Sequence, residues 1–381
     1  MKKILFYTAN GVGLGHLRRS SLIAESVKEM DDKIDISFLT MSQEVSFLDE
    51  LGIPYIKLKH LTDDLVRNRL GFEKAKKFNE KKFLNLVRKY NPKIIVLDVY
   101  LFGFSFPEII LSSYFKNITK VLILRKKDKE KFVEVLENKG EILNNFQRII
   151  LPHSKSELEG TLSRLLLNNI SKDPRFLISG PVFKKPNLAK IDFCRKKYKI
   201  STKDFLITVG LGGGGELKAG KCESPLEIIK DFLDIYPQLS KAISNLKVII
   251  STGPYFSDFK KKFSSRIEFV KFEKNFTELI KLSDLVISTA GYNICNEIIQ
   301  AKLPAILIPL YRGDREQFER AYYLEKKGIA KVFENGSPNE LLKLIFNTKD
   351  NLDKMKLNFR KFSNWEQGNN KAAKEILDLL K

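Results

Sequence analysis

The chain has 381 residues, 43% apolar and 30% charged, with a formal net charge of +21; that length predicts two domains with enough apolar material to fill both cores. No run of about 18 apolar residues occurs, which excludes a transmembrane helix, and Cys194, Cys222 and Cys295 show neither metal nor disulfide spacing, as expected in a reducing cytoplasm. The positive excess is spread over both halves and fits a lysine-rich solvated surface, an anionic membrane face or an anionic substrate, while the lack of a zinc-finger or RRM signature argues against nucleic acid.

The first strand is read at residues 3–8, an apolar run too short for a signal peptide. Gly11-Val12-Gly13-Leu14-Gly15-His16 follows and opens a helix over 15–30. Its spacing is not the dinucleotide G-x-G-x-x-G. Gly13 and Gly15 let a ligand approach the backbone. His16 stands at the carboxyl end of a strand, where open α/β sheets bind ligands, and imidazole exchanges protons near neutral pH. The plain alternative for His16 is a helix N-cap or a packing residue. Arg18 and Arg19, in the same helix, suit a phosphate or the surface equally.

A second strand is read at 36–39, a short helix near 43–51, and a helix over 71–90 whose lysine-rich face reads as solvated; Asn91-Pro92 stops it. The apolar run 94–97 is a buried strand ending at Asp98, a second candidate base. Further strands at 121–124 and 149–151 complete an alternation that predicts a parallel, doubly wound sheet.

Ser179-Gly180-Pro181-Val182-Phe183-Lys184-Lys185-Pro186 is a turn-rich connector, after which the pattern restarts. A strand at 205–210 runs into Gly212-Gly213-Gly214-Gly215, a bare backbone loop suited to a diphosphate. Residues 215–222 nearly spell a P-loop, but a cysteine stands where the magnesium-holding hydroxyl belongs, which argues against an NTPase. Strands follow at 248–251, 267–270, 285–288 and 305–308. After the third of these, Ala290-Gly291 makes a tight turn into a helix over 292–301, beginning Tyr292-Asn293 and carrying Glu297. A helix N-terminus binds anions, and a carboxylate further along suits a pair of ribose hydroxyls; the alternative is an ordinary strand–turn–helix with a surface glutamate. After 305–308, Arg315, Glu316 and Gln317 offer a dense polar set for a sugar, or a charged helix start capped by Asp314. No Asp-x-Asp pair occurs, which weakens a metal-dependent mechanism of that type. The last segment is an amphipathic helix that can pack on either domain.

In this order, the glycine loop ending at His16, the connector Ser179-Gly180-Pro181-Val182, the turn and helix Ser288 to Glu297, and Asp314-Arg315-Glu316-Gln317 with Leu324-Glu325-Lys326-Lys327-Gly328 resemble the GT-B glycosyltransferases related to the peptidoglycan enzyme that adds N-acetylglucosamine to lipid I. The resemblance covers nearly the whole chain. It implies a GT-B fold: a Rossmann-like acceptor-side domain over 1–182, a nucleotide-sugar-binding Rossmann-like domain over 183–365, and a terminal helix at 366–381. It implies that Glu297 holds the ribose, Gly291 and its neighbours the diphosphate, Phe272 the uracil, Gln317 and Glu316 the sugar, and that His16 acts beside the acceptor. It also implies a UDP-sugar donor with no cofactor and no catalytic metal.

Two segments depart from the family. The second glycine loop, Gly210 to Gly215, lacks a serine often present there, and Ile123-Leu124-Arg125-Lys126-Lys127-Asp128 stands where the peptidoglycan enzyme has His-Glu-Gln-Asn. With Asp98-Val99-Tyr100-Leu101-Phe102-Gly103, the second departure points to a side branch with an acceptor other than lipid I. The expectation is a cytoplasmic transferase, peripheral to the membrane, that moves a hexose or hexosamine from UDP to a hydroxyl of a lipid-linked or small glycan acceptor. Two alternatives stand beside it: a nucleotide-sugar hydrolase, since a similar Gly-x-Gly-His-x-x-Arg loop occurs in the hydrolase of pseudaminic acid synthesis, and a non-catalytic nucleotide- or glycan-binding protein.

Overall fold

A computed structural model describes residues 2–9, 13–59, 69–101, 106–213, 225–254, 256, 264–311 and 314–381. The chain divides into two compact units, Met1–Phe183 together with Trp365–Lys381, and Lys184–Asn364.

The first unit is built on seven parallel strands: β1 (Lys3–Thr8), β2 (Asp35–Thr40), β3 (Tyr55–Lys57), β4 (Ile94–Asp98), β5 (Thr119–Ile123), β6 (Arg148–Leu151) and β7 (Phe176–Ile178), in the order β3-β2-β1-β4-β5-β6-β7. The central strands are continuous aliphatic runs buried on both faces, as parallel strands covered by helices must be. Strand order reverses between β1 and β4, and that reversal opens the ligand crevice of a doubly wound sheet. Register pairs Thr8 with Asp98 and Thr8 with Thr40, so the carboxyl ends of β1, β2 and β4 lie side by side. The helix Arg69–Tyr90 buries Ala75, Phe83 and Val87. Phe83 stacks on Phe115 at 5.5 Å, and the helix is followed by Asn91 at φ 50°, a left-handed stop that asparagine tolerates, with Pro92 beyond it.

The second unit repeats the plan with β8 (Phe205–Gly210), β9 (Leu246–Ser251), β10 (Ile267–Val270), β11 (Leu285–Ser288), β12 (Ala305–Leu307) and β13 (Ala330–Val332), ordered β10-β9-β8-β11-β12-β13 and parallel throughout. Its reversal falls between β8 and β11. Gly210 ends β8 because nothing larger fits: a Cβ there would lie 2.5 Å from Phe276 Cζ.

The chain's final helix, Asn369–Asp378, packs on the helix Gly15–Met30 of the first unit. Gly368 N–H donates to Pro181 O at 2.7 Å, Asn369 bonds Phe183 through both N–H (3.2 Å) and C=O (3.1 Å), and Arg148 pairs with Glu375 at 2.6 Å. Edge strands β3 and β13 carry no sequence signal of their own. Each has three residues and several half-buried or exposed side chains, so neither shows an apolar run. No helix among the described residues is long and apolar enough to cross a membrane.

Candidate active site

In the first unit the reversal point holds a charged cluster. His16 is the second residue of the helix Gly15–Met30 and does not cap it; Leu14 occupies that position. His16 Nδ1 lies 2.7 Å from Asp98 Oδ1. Arg19, one turn further along, donates Nε–H to Asp98 Oδ2 at 3.0 Å and Nη2–H to Asp98 Oδ1, and Ser20 Oγ donates to Asp98 Oδ2 at 3.0 Å. Asp98 and Arg19 are buried, whereas the His16 side chain keeps 22% of its surface exposed. Arg19 is therefore neither a surface residue nor a phosphate contact, the two roles its position in sequence suggested. Arg18 leaves the cluster and lies 4.5 Å over the Phe47 ring.

The electrostatics follow from this enclosure. Burial pushes the Asp98 carboxyl up, but the Arg19 guanidinium and then His16 outweigh it and hold Asp98 below the usual carboxylate value. His16 is held below the usual imidazole value, first by burial, with Arg19 and Arg125 adding to that against the opposing pull of Asp98. Asp98 stays an anion and fixes the imidazole through Nδ1. Nε2 is left as the ring nitrogen that Asp98 does not engage, the geometry by which a carboxylate can orient a histidine. A Cβ built on Gly13 or Gly15 would meet no atom within 4 Å, so core packing does not demand glycine at either position.

In the second unit the reversal point holds the other candidate loops. Gly212 has φ 64°, a left-handed conformation that favours glycine, and Gly213 follows it in the turn after β8. Gly214 and the P-loop-like stretch 215–222 lie outside the described residues. Thr289 N–H and Ser288 Oγ donate to Gly210 O at 3.3 and 2.7 Å and tie the two loops together. Gly291 is the N-cap of the helix Tyr292–Ala301, in an extended conformation with no side chain over the first turn. Asn293 Oδ1 in that turn is sealed from solvent without a hydrogen-bond partner. Glu297, in the helix Tyr292–Ala301, is buried, which removes the surface-glutamate alternative.

The polar segment after β12 packs onto this turn. Arg320 Nη1 donates to Ala290 O at 2.7 Å, Nη2 pairs with Glu316, and the guanidinium lies 5.8 Å from the Tyr292 ring centre. Gln317 Oε1 accepts from Leu310 N–H at 3.1 Å, and Asp314 Oδ1 accepts from Glu316 N–H at 3.2 Å. Arg315 is exposed over the Phe318 ring. Phe272 stands apart, half-buried beyond β10, three strand spacings from β11 or about 14 Å across the sheet. Its neighbour Glu273 is fixed by Tyr198 OH, by Lys197 Nζ at 2.6 Å and by Asn275 N–H at 2.8 Å. Arg320 and Ser20 were not singled out from sequence. The only local signal for Arg320 was its i,i+4 spacing from Glu316.

Residues 225–378 match the glycosyltransferase family 28 C-terminal domain. That match spans about two fifths of the chain. Over 95% of its length the chain is 25% identical to the UDP-N-acetylglucosamine--N-acetylmuramyl-(pentapeptide) pyrophosphoryl-undecaprenol N-acetylglucosamine transferase of Borreliella burgdorferi, spanning 93% of that protein. The enzyme of the same name from Fusobacterium nucleatum is 30% identical over 193 residues, 49% of this chain and 51% of that one. Among solved structures, the glycotransferase of kitacinnamycin superposes with a TM-score of 0.69 at 11% identity, covering 100% of this chain and 99% of that one. MurG of Acinetobacter baumannii gives 0.54 at 16%, covering 99% of each chain. The UDP-GlcNAc 2-epimerase of Neisseria meningitidis bound to UDP-GlcNAc gives 0.63 at 13%, again covering 99% of each. These likenesses establish the GT-B fold, two Rossmann-like units each with a parallel sheet; the epimerase shows that the fold serves more than one chemistry.

Proposed function

We propose that this protein is a glycosyltransferase that moves a hexose or hexosamine from a UDP-sugar to a hydroxyl acceptor, with His16 as the base. The observation that carries this reading is the 2.7 Å contact of His16 with a buried, ionised Asp98 at the reversal point of the first sheet. His16 Nε2 takes the proton of the acceptor hydroxyl as its oxygen bonds to the anomeric carbon. The bond from that carbon to the diphosphate breaks, and its electron pair leaves with UDP. Asp98 positions His16 and does not itself meet the acceptor, because its oxygens are engaged by Arg19, Ser20 and His16.

On the donor side, the amides at the start of the helix Tyr292–Ala301 and the loop at Gly212 and Gly213 stabilise the leaving diphosphate. Glu297 takes the ribose hydroxyls, Asn293 belongs to the helix turn that meets the diphosphate, Phe272 flanks the uracil, and Gln317 with Glu316 reads the sugar. Arg320 sets the Ala290 carbonyl and Glu316 in place. The reading includes no metal, so a chelator such as EDTA should leave turnover unchanged. It places the protein in the cytoplasm, with part of its +21 charge serving an anionic membrane face and a lipid-linked acceptor. The relatives' names specify pyrophosphoryl-undecaprenol substrates; the departure at 123–128 favours a different acceptor here.

The test is UDP release. Wild type should hydrolyse a UDP-sugar slowly alone and release UDP much faster when a lipid or glycan extract supplies the acceptor, since a transferase must keep water from the anomeric carbon. Fast release that extract does not change would make the protein a nucleotide-sugar hydrolase. No turnover of any UDP-sugar would leave a binding protein.

A further inference from the structure

The first helix of the second unit, Leu188–Lys197, is apolar on two faces. One face belongs to the core. Cys194 and, just past the helix, Tyr198 are buried in a cluster with Leu206, Ile249 and Leu279, and the helix packs on the helix Phe276–Leu282. Its start is fixed as well: Asn187 Oδ1 accepts from Lys190 N–H at 3.2 Å, and Asn187 N–H donates to Glu278 Oε1 at 3.2 Å. A helix packed in this way ordinarily turns polar residues outward. Here Leu188 is 81% exposed, the most of any large apolar side chain among the described residues, and Phe193 is 54% exposed. Ala189 and Phe193, one turn apart, look away from the core with Lys190 and Lys196 on either side.

A single exposed apolar residue is ordinary; the charge around this pair is not. Residues 184–199 carry seven Lys and Arg against one Asp, so sixteen residues hold +6 of the chain's +21. Two of the cations are neutralised from other elements: Lys184 Nζ lies 2.9 Å from Glu278, and Lys197 Nζ lies 2.6 Å from Glu273. Lys185, Lys190, Lys196 and Lys199 are exposed, and no ion pair joins them to a carboxylate among the described residues.

Exposed apolar side chains among unpaired lysines suit the boundary of an anionic bilayer, where rings and aliphatic chains enter below the headgroups and lysine stems reach the phosphates. A second copy of the chain fits worse, because a two-fold contact would set +6 against +6. A stable protein interface buries about 800 Å² on each side, more than the outward face of one short helix offers. We propose that the outward face of the helix Leu188–Lys197 is a membrane contact, with Leu188 and Phe193 entering an anionic bilayer and Lys190 and Lys196 meeting its phosphates. The proposal rests on the reading that part of the positive charge serves a membrane face, and it gives that role to a defined helix of the second unit.

The experiment is sedimentation of the full-length protein with phosphatidylglycerol–phosphatidylcholine vesicles and with phosphatidylcholine vesicles alone. Wild type should bind the anionic vesicles and release as salt rises, because surface attraction is screened within about 10 Å at 0.1 M. Leu188→Ser with Phe193→Ser keeps every charge and should weaken binding about tenfold or more, since burying each large apolar side chain is worth roughly one factor of ten. Lys190→Gln with Lys196→Gln should weaken binding about tenfold or more at low salt and flatten the salt dependence. All four positions lie on the surface, so melting temperature and UDP affinity should stay at the wild-type values. Phe193→Trp should keep binding, and the added indole emission should shift to the blue with anionic vesicles, which a fold defect would not produce. Leu165→Ser, an equally bare leucine of the first unit, should change nothing. If wild type binds anionic vesicles and the Ser variant binds them equally, the helix assignment is overturned while the membrane reading stands. If wild type ignores anionic vesicles, both fall. A Ser variant that changes the sedimentation coefficient of the free protein but not its vesicle binding would make this face a contact between copies and likewise overturn the proposal.

Discussion

Arg19 and Asp98, 79 positions apart in sequence, form a two-pronged ion pair from which solvent is excluded, with Arg19 Nε 3.0 Å from Asp98 Oδ2. The pair couples the first helix to the end of β4 and sets the charge beside His16. A buried pair of this kind adds little over an apolar replacement, but removing one member leaves the other charge uncompensated.

Asp98→Asn should therefore destabilise the protein by about 3–5 kcal/mol, the cost of stranding a buried partner, read as a lower urea midpoint. The pH dependence has a definite sign. The folded pKa of Asp98 is depressed below 3.8, so its contribution is present above the unfolded value and fades as pH falls through the folded one. The gap between wild type and Asp98→Asn should accordingly shrink below about pH 4. A constant gap down to the acid unfolding limit would remove the ion pair as its origin.

His16→Ala should lower transfer about 100- to 10,000-fold, the range for a positioned base, with UDP affinity kept because the donor groups belong to the other unit. The neutral, base-competent form of His16 persists below its ordinary pKa of 6.5, since burial and then the two arginines oppose protonation. The acid limb of kcat/KM should fall below that pH. Loss of UDP binding in His16→Ala would recast His16 as a phosphate ligand.

UDP at about 100 times its Kd should stabilise the wild type by about 2.7 kcal/mol, and Glu297→Ala should lose most of that shift. Charge-assisted bonds to two ribose hydroxyls are worth about 1.5–3 kcal/mol each. An unchanged thermal shift would place Glu297 outside the site. A shift with ATP and magnesium but none with UDP would favour the P-loop-like segment instead.

Gly368→Ala should loosen the terminal helix. A Cβ there would lie 2.3 Å from Gly180 O and 2.9 Å from Ser179 O, both backbone atoms with no rotamer to yield. A cost of about 1–3 kcal/mol is expected for such overpacking. Proteolysis should then release residues near the C-terminus first, and a wild-type melting temperature would contradict the close approach.

The sequence by itself determined the strand–helix alternation, the turn at Gly212 and Gly213 and the helix Tyr292–Ala301, because aliphatic runs, glycine and helix starts are local signals. It also marked His16 and Asp98 as separate candidates. Only the tertiary structure joined them, since parallel strands β1 and β4 bring together residues 82 positions apart. It alone turned Arg19 inward, because a helical arginine shows its partner only once the neighbouring strand is in place. The same holds for the last helix: amphipathicity says that one face is buried, while its docking on the helix Gly15–Met30 depends on the close meeting of Gly180 and Gly368, which no local pattern encodes.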